Sequence, residues 1–340
     1  MAQAVTVYRW DDAGAPQLPN GKPSEIIDIL TKCLVDGYGD KTPLGWTRPF
    51  YDAVNQAAAF RNSVADGGSG GYAKFFSNDG SDNNNALMRI THAASMTDIN
   101  TLFRQGYTQA LRATAGSGNN KTDKWLLIGT NTAFYFIMGR NVSVHAGSTS
   151  FPNSCIFVGD YYSTIPSDVS RFITLAAPAQ TDTSFAGYLE TLDWLCVSAQ
   201  YSNSACLKLY DADGFESFIQ YSLCSFTNNS SVTTNTVFNA APPFPQGLIP
   251  VHIKATSRDQ ATTNVSDRFG VILPRSQVSP VYRGILPGLF NLTYIGYRDL
   301  AWPSVVEIDA QNYLPLRNPN GGPINAAINL EIWHDPFAAL

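Results

Sequence analysis

Ionised side chains are scarce in this sequence. Lys, Arg, Asp and Glu make up 14% of 340 residues, against about 25% in an ordinary soluble domain. A surface so poor in charge must be built from Ser, Thr, Asn, Gln and Gly, which suits broad contacts with protein subunits or with sugars. The 22 basic residues are outnumbered by 27 acidic ones, for a net charge of −5, and they form no stripe. Phosphate neutralisation needs clustered cations, so nucleic acid is excluded as a partner.

Long apolar runs are also missing. "WLLIGTNTAFYFIMG" at 125–139 is interrupted by polar residues and falls short of the roughly 20 residues needed to cross a bilayer, so no membrane span is expected. "MAQAVTVYRWDD" has no charged segment followed by an apolar one, and the expectation is a protein made and folded in a cytoplasm.

The residues of catalysis and metal binding are thin and scattered. His92, His145, His252 and His334 are far apart, with no second ligand at metal spacing. Cys33, Cys155, Cys196, Cys206 and Cys224 are odd in number and contain no CxxC pair; they read as buried free thiols. Glutamate occurs only at 25, 190, 216, 307 and 331. Asp160, Glu190 and Asp193 lie near aromatics and are the candidates for a carbohydrate cleft, although hydrogen-bonded carboxylates at strand ends are the commoner case. "SNDGSDNNN" at 77–85 lacks the spacing and the closing Glu of a calcium loop and reads as an exposed hairpin tip. No G-x-S-x-G elbow and no Walker loop is present; the glycines of "VADGGSGG" read as flexible surface loop. The chain is expected to be no enzyme and to carry no cofactor and no metal.

What the sequence does have is strand signal, aromatic residues and one clear helix. In "PSEIIDILTKCLVDG", Pro23 and Ser24 start a helix, Ile26, Ile27, Leu30, Cys33 and Leu34 recur at helical spacing, and Gly37 stops it. A strand and a loop come before it. "AAAFRNS", "GYAKFFSND" and "ALMRITHAAS" predict three short strands in a meander, whereas "MTDINTLFRQGYTQALRATAG" is ambiguous: Met96, Ile99, Leu102 and Phe103 fit a helix turn, and Gly106 and Thr108 weaken it. From residue 124 onward strands recur at short spacing, opening with the hairpin "KWLLIG" and "AFYFIMG". The fold class expected is mainly β (α+β), an antiparallel sandwich or barrel-like body with one prominent N-terminal helix. Two regions, 1–180 and 181–340, meet near "APAQTDTSFAGY", unless the whole is one compact unit.

Directly after the helix comes "CLVDGYGDKTPLGWTRPF" at 33–50. Its glycines can take positive φ, its prolines stiffen the path, and Tyr38, Trp46, Phe50 and Tyr51 can cover the helix end or stack on a neighbouring subunit.

An ordered set of segments resembles a family of structural proteins from tailed bacteriophages and prophages: "VYRWDDAGAPQL", "IIDILTKCLVDGYGDKTPLGWTRPF", "AAAFRNS", "ALMRITHAASMTDIN", "WLLIGTNTAFYFIM", "CIFVGDYYSTIPSD", "GLIPVHI" and "YRGILPGLF". The correspondence runs from residue 5 to about 300, and departs in the loops "VADGGSGG" and "NNSSVTTN". On this resemblance, Gly37, Tyr38 and Gly39 form the Gly-Tyr-Gly turn, Gly45 and Trp46 the Gly-Trp pair, and Arg283, Gly284, Leu286, Pro287, Gly288 and Leu289 the late motif. It implies a virion part: an oligomeric tail or baseplate component in contact with copies of itself and other virion proteins. A capsid decoration protein and a tail-tip module that binds host surface glycan are the alternatives. It transfers no active site.

Overall fold

The computed structural model describes residues 2–111, 113, 122–140, 154–176, 207–210, 212, 218–224, 248–255, 264–266, 272–274, 282–296, 303–316 and 324–338. Among the described residues every strand pairing is antiparallel and there is a single α-helix. That helix is not the first element, because the strands Ala2–Ala4 and Thr6–Arg9 precede it. The chain forms two compact units. One comprises Val5–Asp160 and Phe172–Leu192, the other Met1–Ala4, Tyr161–Arg171 and Asp193–Leu340. The division expected at residue 180 falls outside the described residues. The hairpin loop Tyr161–Arg171 belongs to one unit while the strands that carry it belong to the other.

The unit built on Val5–Asp160 is a sandwich of two five-stranded sheets. One runs Phe172–Leu175, Ser154–Asp160, Ala133–Arg140, Thr122–Gly129 and Thr6–Arg9; the other runs Thr47–Asp52, Ala57–Arg61, Tyr72–Ser77, Met88–Ala93 and Gln109–Leu111. Alternation along the strands explains the shared core. Phe134, Phe136 and Met138 of the first sheet meet Phe60, Phe75, Met88 and Ile90 of the second, together with Ile26, Leu30, Cys33 and Leu34 of the helix. Each such side chain contributes about 1.5–3 kcal/mol by leaving water. The expected meander and the 122–140 hairpin both form. The segment 96–103 makes no helix; Ser95–Met96 pairs with Leu102–Phe103 as a small hairpin, and Met96 joins Ala59 and Ala93 in a satellite cluster. Apolar spacing at Met96, Ile99 and Leu102 serves a strand pair and its turn there.

Two carboxylates set the start of the helix Pro23–Thr31. Glu25 accepts from the backbone N–H groups of Asn20 (3.0 Å) and Lys22 (3.2 Å). Asp82, from the 77–85 loop, accepts from the Ser24 N–H at 2.9 Å and its hydroxyl at 2.8 Å. Acidic groups at this end also suit the helix dipole. The loop read as an exposed tip is therefore also a helix cap.

In the other unit, strands follow the order Leu207–Tyr210, Phe218–Cys224, Leu248–Ala255, Tyr282–Gly296, Ile324–Asn329, Gln311–Leu316 and Val306–Ile308, and Tyr162–Ser163 adds to Tyr282–Gly296. Val306, Ile308, Tyr313 and Ala327 form a small core. Trp333 is buried, its indole N–H donating to the Asn329 carbonyl at 2.9 Å.

Candidate functional site

The residues singled out in the sequence fall into two groups. The first is the turn after the helix. An α-helix leaves its last carbonyls without partners, and here the chain doubles back to satisfy them. The last turn widens to a π-helical turn, Lys32–Asp36, closed by the Gly37 N–H donating to the Lys32 carbonyl at 2.8 Å. The Leu44 N–H then donates to Cys33 and the Trp46 N–H to Leu34, each at 3.0 Å. Gly37 (φ +80°) and Gly39 (φ +55°) make the reversal possible: a Cβ at Gly37 would lie 2.7 Å from the Lys41 carbonyl oxygen, and one at Gly39 2.3 Å from that of Ala13. Gly45 also has positive φ (+79°), but nothing lies within 4 Å of the place a Cβ would occupy.

Two aromatics of this turn, Tyr38 and Trp46, point inward. Trp46 is 2% exposed, edge-on to Phe134 at 5.2 Å between ring centres, and its indole N–H donates to the Thr130 carbonyl at 3.2 Å. Tyr38 is buried and donates to Asp12 Oδ2 at 2.9 Å. Burial, and then the bond to Asp12, push its phenol well above the ordinary tyrosine range, so it stays a donor. Burial likewise drives the Cys33 thiol up, with Asp12 and Asp28 adding to the effect, which leaves it unreactive. Of the two roles open to these rings, Tyr38 and Trp46 take the internal one. Tyr51 is 49% exposed, with the Arg48 guanidinium over its ring at 4.5 Å.

The second group centres on Arg283. Its guanidinium grips Asp168 through two parallel bonds, Nε to Oδ2 at 2.8 Å and Nη2 to Oδ1 at 2.9 Å, and donates to the Tyr210 carbonyl at 2.9 Å. Asp168 also accepts from the Tyr161 hydroxyl (2.8 Å), the Ser163 hydroxyl (2.7 Å) and the Ser170 N–H (3.0 Å). Both side chains are almost fully buried. Burial alone would raise the Asp168 pKa, but the bonds and charge of Arg283, with Ser163 and Tyr161, hold it below the usual carboxylate range. Gly284 lets Tyr162 approach, since a Cβ there would fall 2.1 Å from the Tyr162 carbonyl oxygen. Pro287 is buried, and Gly288 (φ +64°) lies under Trp333, whose Nε1 would be 2.0 Å from an added Cβ.

A carboxylate that already accepts five bonds has no lone pair directed at a substrate, so Asp168 is placed as a structural anion. Asp160 is similar: it accepts from the Ser69 N–H at 2.7 Å and from the Ser69 hydroxyl. That bond also corrects the reading of "VADGGSGG" as flexible. Its base is clamped, with the Gly70 N–H on Asn62 Oδ1 (2.7 Å) and Gly71 against Phe172. Glu190 and Asp193, with Cys196, Cys206 and His145, lie outside the described residues. Among the described residues no group of three His, Cys, Asp or Glu could hold a metal ion, and no helix is long and apolar enough to cross a membrane.

Sequence reasoning found Arg283 but missed its partner, because Asp168 in "IPSDVS" sits in a loop with no periodicity. No protein-family model matches the chain, and no curated protein matches it.

Proposed function

We propose that the chain is a structural component of a tailed-phage particle, assembled in several copies in the tail or baseplate and acting through subunit contacts. The observation that carries this reading is where its polar chemistry goes. Asp12, Asp82, Asp160 and Asp168 are each engaged by Tyr38, Ser24, Ser69 and Arg283 in holding loops and the helix in place. Apolar side chains stand instead at turns and edges, with Val54 84% exposed and Tyr51, Val64 and Phe103 about half exposed. Neutral, aromatic-bearing surfaces of this kind lose little solvation when copies meet, and turns fixed by glycine and hydrogen bonds lose little further entropy. The ordered resemblance of segments from residue 5 to about 300 points the same way.

Quantitative mass spectrometry of purified particles tests it. A few copies to a few dozen per particle supports the tail or baseplate. Hundreds of copies would move the protein to the capsid surface as a decoration subunit. Absence from particles refutes the reading.

A further inference from the structure

Phe172–Leu175 is an outer edge of its five-stranded sheet, and side chains of the opposite sheet close it. The N–H groups that the edge turns outward need acceptors once they are buried. The Thr174 N–H donates to His92 Nδ1 at 3.1 Å, and the Ala176 N–H, just beyond the strand, donates to Gln109 Oε1 at 3.0 Å. His92, Gln109, Thr174 and Ala176 are all buried.

A backbone amide can only donate, so its bond fixes the His92 tautomer. Nδ1 is the bare acceptor and Nε2 carries the proton. The Thr174 hydroxyl, 3.1 Å from the same nitrogen, is then a second donor to it. The ring is also held in place. Gly106 packs so closely that a Cβ there would fall 2.0 Å from Cε1 and 2.4 Å from each ring nitrogen. Its N–H donates to the His92 carbonyl at 2.9 Å, and its own carbonyl accepts from the Thr91 hydroxyl at 3.4 Å.

We propose that His92 is an acid-sensitive latch: as a neutral imidazole it holds the edge strand Phe172–Leu175 to the opposite sheet, and uptake of a proton releases that strand. A proton on Nδ1 would point at the Thr174 N–H, so the latched form has no room for it. Once open, His92 is an ordinary imidazole that takes up a proton below about pH 6.5. Each pH unit below that value therefore shifts the balance toward the open edge by up to about tenfold. The released strand presents unpaired N–H groups, the feature that lets further strands add to a sheet.

The groups set against the ring do not ionise: Thr174 on the edge strand, Gly106, and Ala73, which stands opposite His92 in the next strand. The charged groups of the same elements are engaged elsewhere. Lys74 donates to Asn100 Oδ1 at 3.3 Å and Arg89 to Asn78 Oδ1 at 2.9 Å. The Arg104 guanidinium stands over the Phe103 ring at 5.2 Å, and Asp160, in the strand beside Phe172–Leu175, accepts from Ser69. Tyr107 follows Gly106 as a neutral phenol.

Hydrogen exchange of the full chain between about pH 7.5 and pH 5, a window above the range in which carboxylates titrate, is the test. Rates are corrected for intrinsic exchange and read in peptides covering 172–176 and, as the reference, the 122–140 hairpin. In the wild type, protection at 172–176 should fall by up to about tenfold per pH unit below about 6.5, while the hairpin stays protected. His92→Asn keeps an acceptor oxygen near the place of Nδ1 but cannot titrate, so its profile should be flat. A flat wild-type profile, an unchanged slope in His92→Asn, or hairpin protection lost in step with 172–176 overturns the proposal. If His92→Asn fails to fold, ring nitrogen shifts of the wild type still decide. They should show the Nε2–H tautomer above pH 7, and an imidazolium at pH 5 in a chain whose Thr174 amide remains protected overturns the latch.

Discussion

Arg283 and Asp168, 115 residues apart, form a two-pronged ion pair from which water is almost fully excluded. The pair fixes the loop Tyr161–Arg171 to the strand Tyr282–Gly296, with Thr164 adding a backbone bond to the Arg283 carbonyl at 3.0 Å. Removing one partner strands a buried charge. Asp168→Asn or Arg283→Met should therefore each cost about 3–5 kcal/mol. The double variant should cost less than the sum, because no charge is left without its partner. Hydrogen exchange in peptides spanning 161–171 and 282–290, followed through a denaturant series, reads this directly. A double variant as costly as the sum would mean that the pair acts as two independent residues.

The same carboxylate fixes a pH dependence. Its folded pKa is depressed, whereas an unfolded Asp titrates at about 3.9. The native state therefore holds on to the ionised form, and the resulting stability is fully present above about pH 4. It is lost as pH falls through the lower folded value. Melting temperatures of wild type and Asp168→Asn should differ most near neutrality and converge below about pH 4. A gap that stays constant down to about pH 2.5 would show that the ion pair contributes no acid step.

Trp46→Ala should act on the fold. The side chain fills space between Phe134 and Phe172 in the sandwich core, so truncation should cost about 3–5 kcal/mol. Tyr51→Ala, at the exposed edge, should stay within about 0.5 kcal/mol in the isolated chain. Circular-dichroism melts of the two variants side by side check the difference. Loss of particle incorporation in Trp46→Ala would thus report unfolding, and only Tyr51→Ala can speak for a contact.

Much of the architecture was legible because it rests on short-range patterning. Strand alternation, the Pro23–Ser24 start and the Gly37 stop are local signals, and each led to the element found. The 96–103 segment misled because three apolar residues within one turn's spacing fit a helix as well as a two-strand hairpin with a tight connection. The partners of the polar groups were not legible. Ser69 with Asp160 and Ser24 with Asp82 span 91 and 58 residues, and neither member of such a pair carries a local mark of the other. The late motif shows the boundary well. Arg283, Gly284 and Gly288 stand out as an unusual sequence, yet what each one needs, the Asp168 carboxylate, the Tyr162 backbone and the Trp333 ring, is set by tertiary packing alone.

Glycine substitutions separate conformational cost from steric cost, because three positive-φ glycines have different surroundings. At Gly45 the only penalty is the left-handed backbone, so Gly45→Ala should cost about 1 kcal/mol. At Gly39 the same φ class is joined by a Cβ position 2.3 Å from the Ala13 carbonyl oxygen, which is backbone and cannot swing away. At Gly288 the obstacle is the Trp333 ring at 2.0 Å, itself buried and held by its bond to Asn329. Gly39→Ala and Gly288→Ala should each cost about 3 kcal/mol or more. Trp333→Leu should recover part of the Gly288→Ala loss by opening that space, whereas it can do nothing for Gly39→Ala. Thermal melts of the three single variants and the two doubles decide it: equal losses at Gly45 and Gly288 would mean that φ alone selects glycine, and no rescue by Trp333→Leu would mean that the ring is not the obstacle.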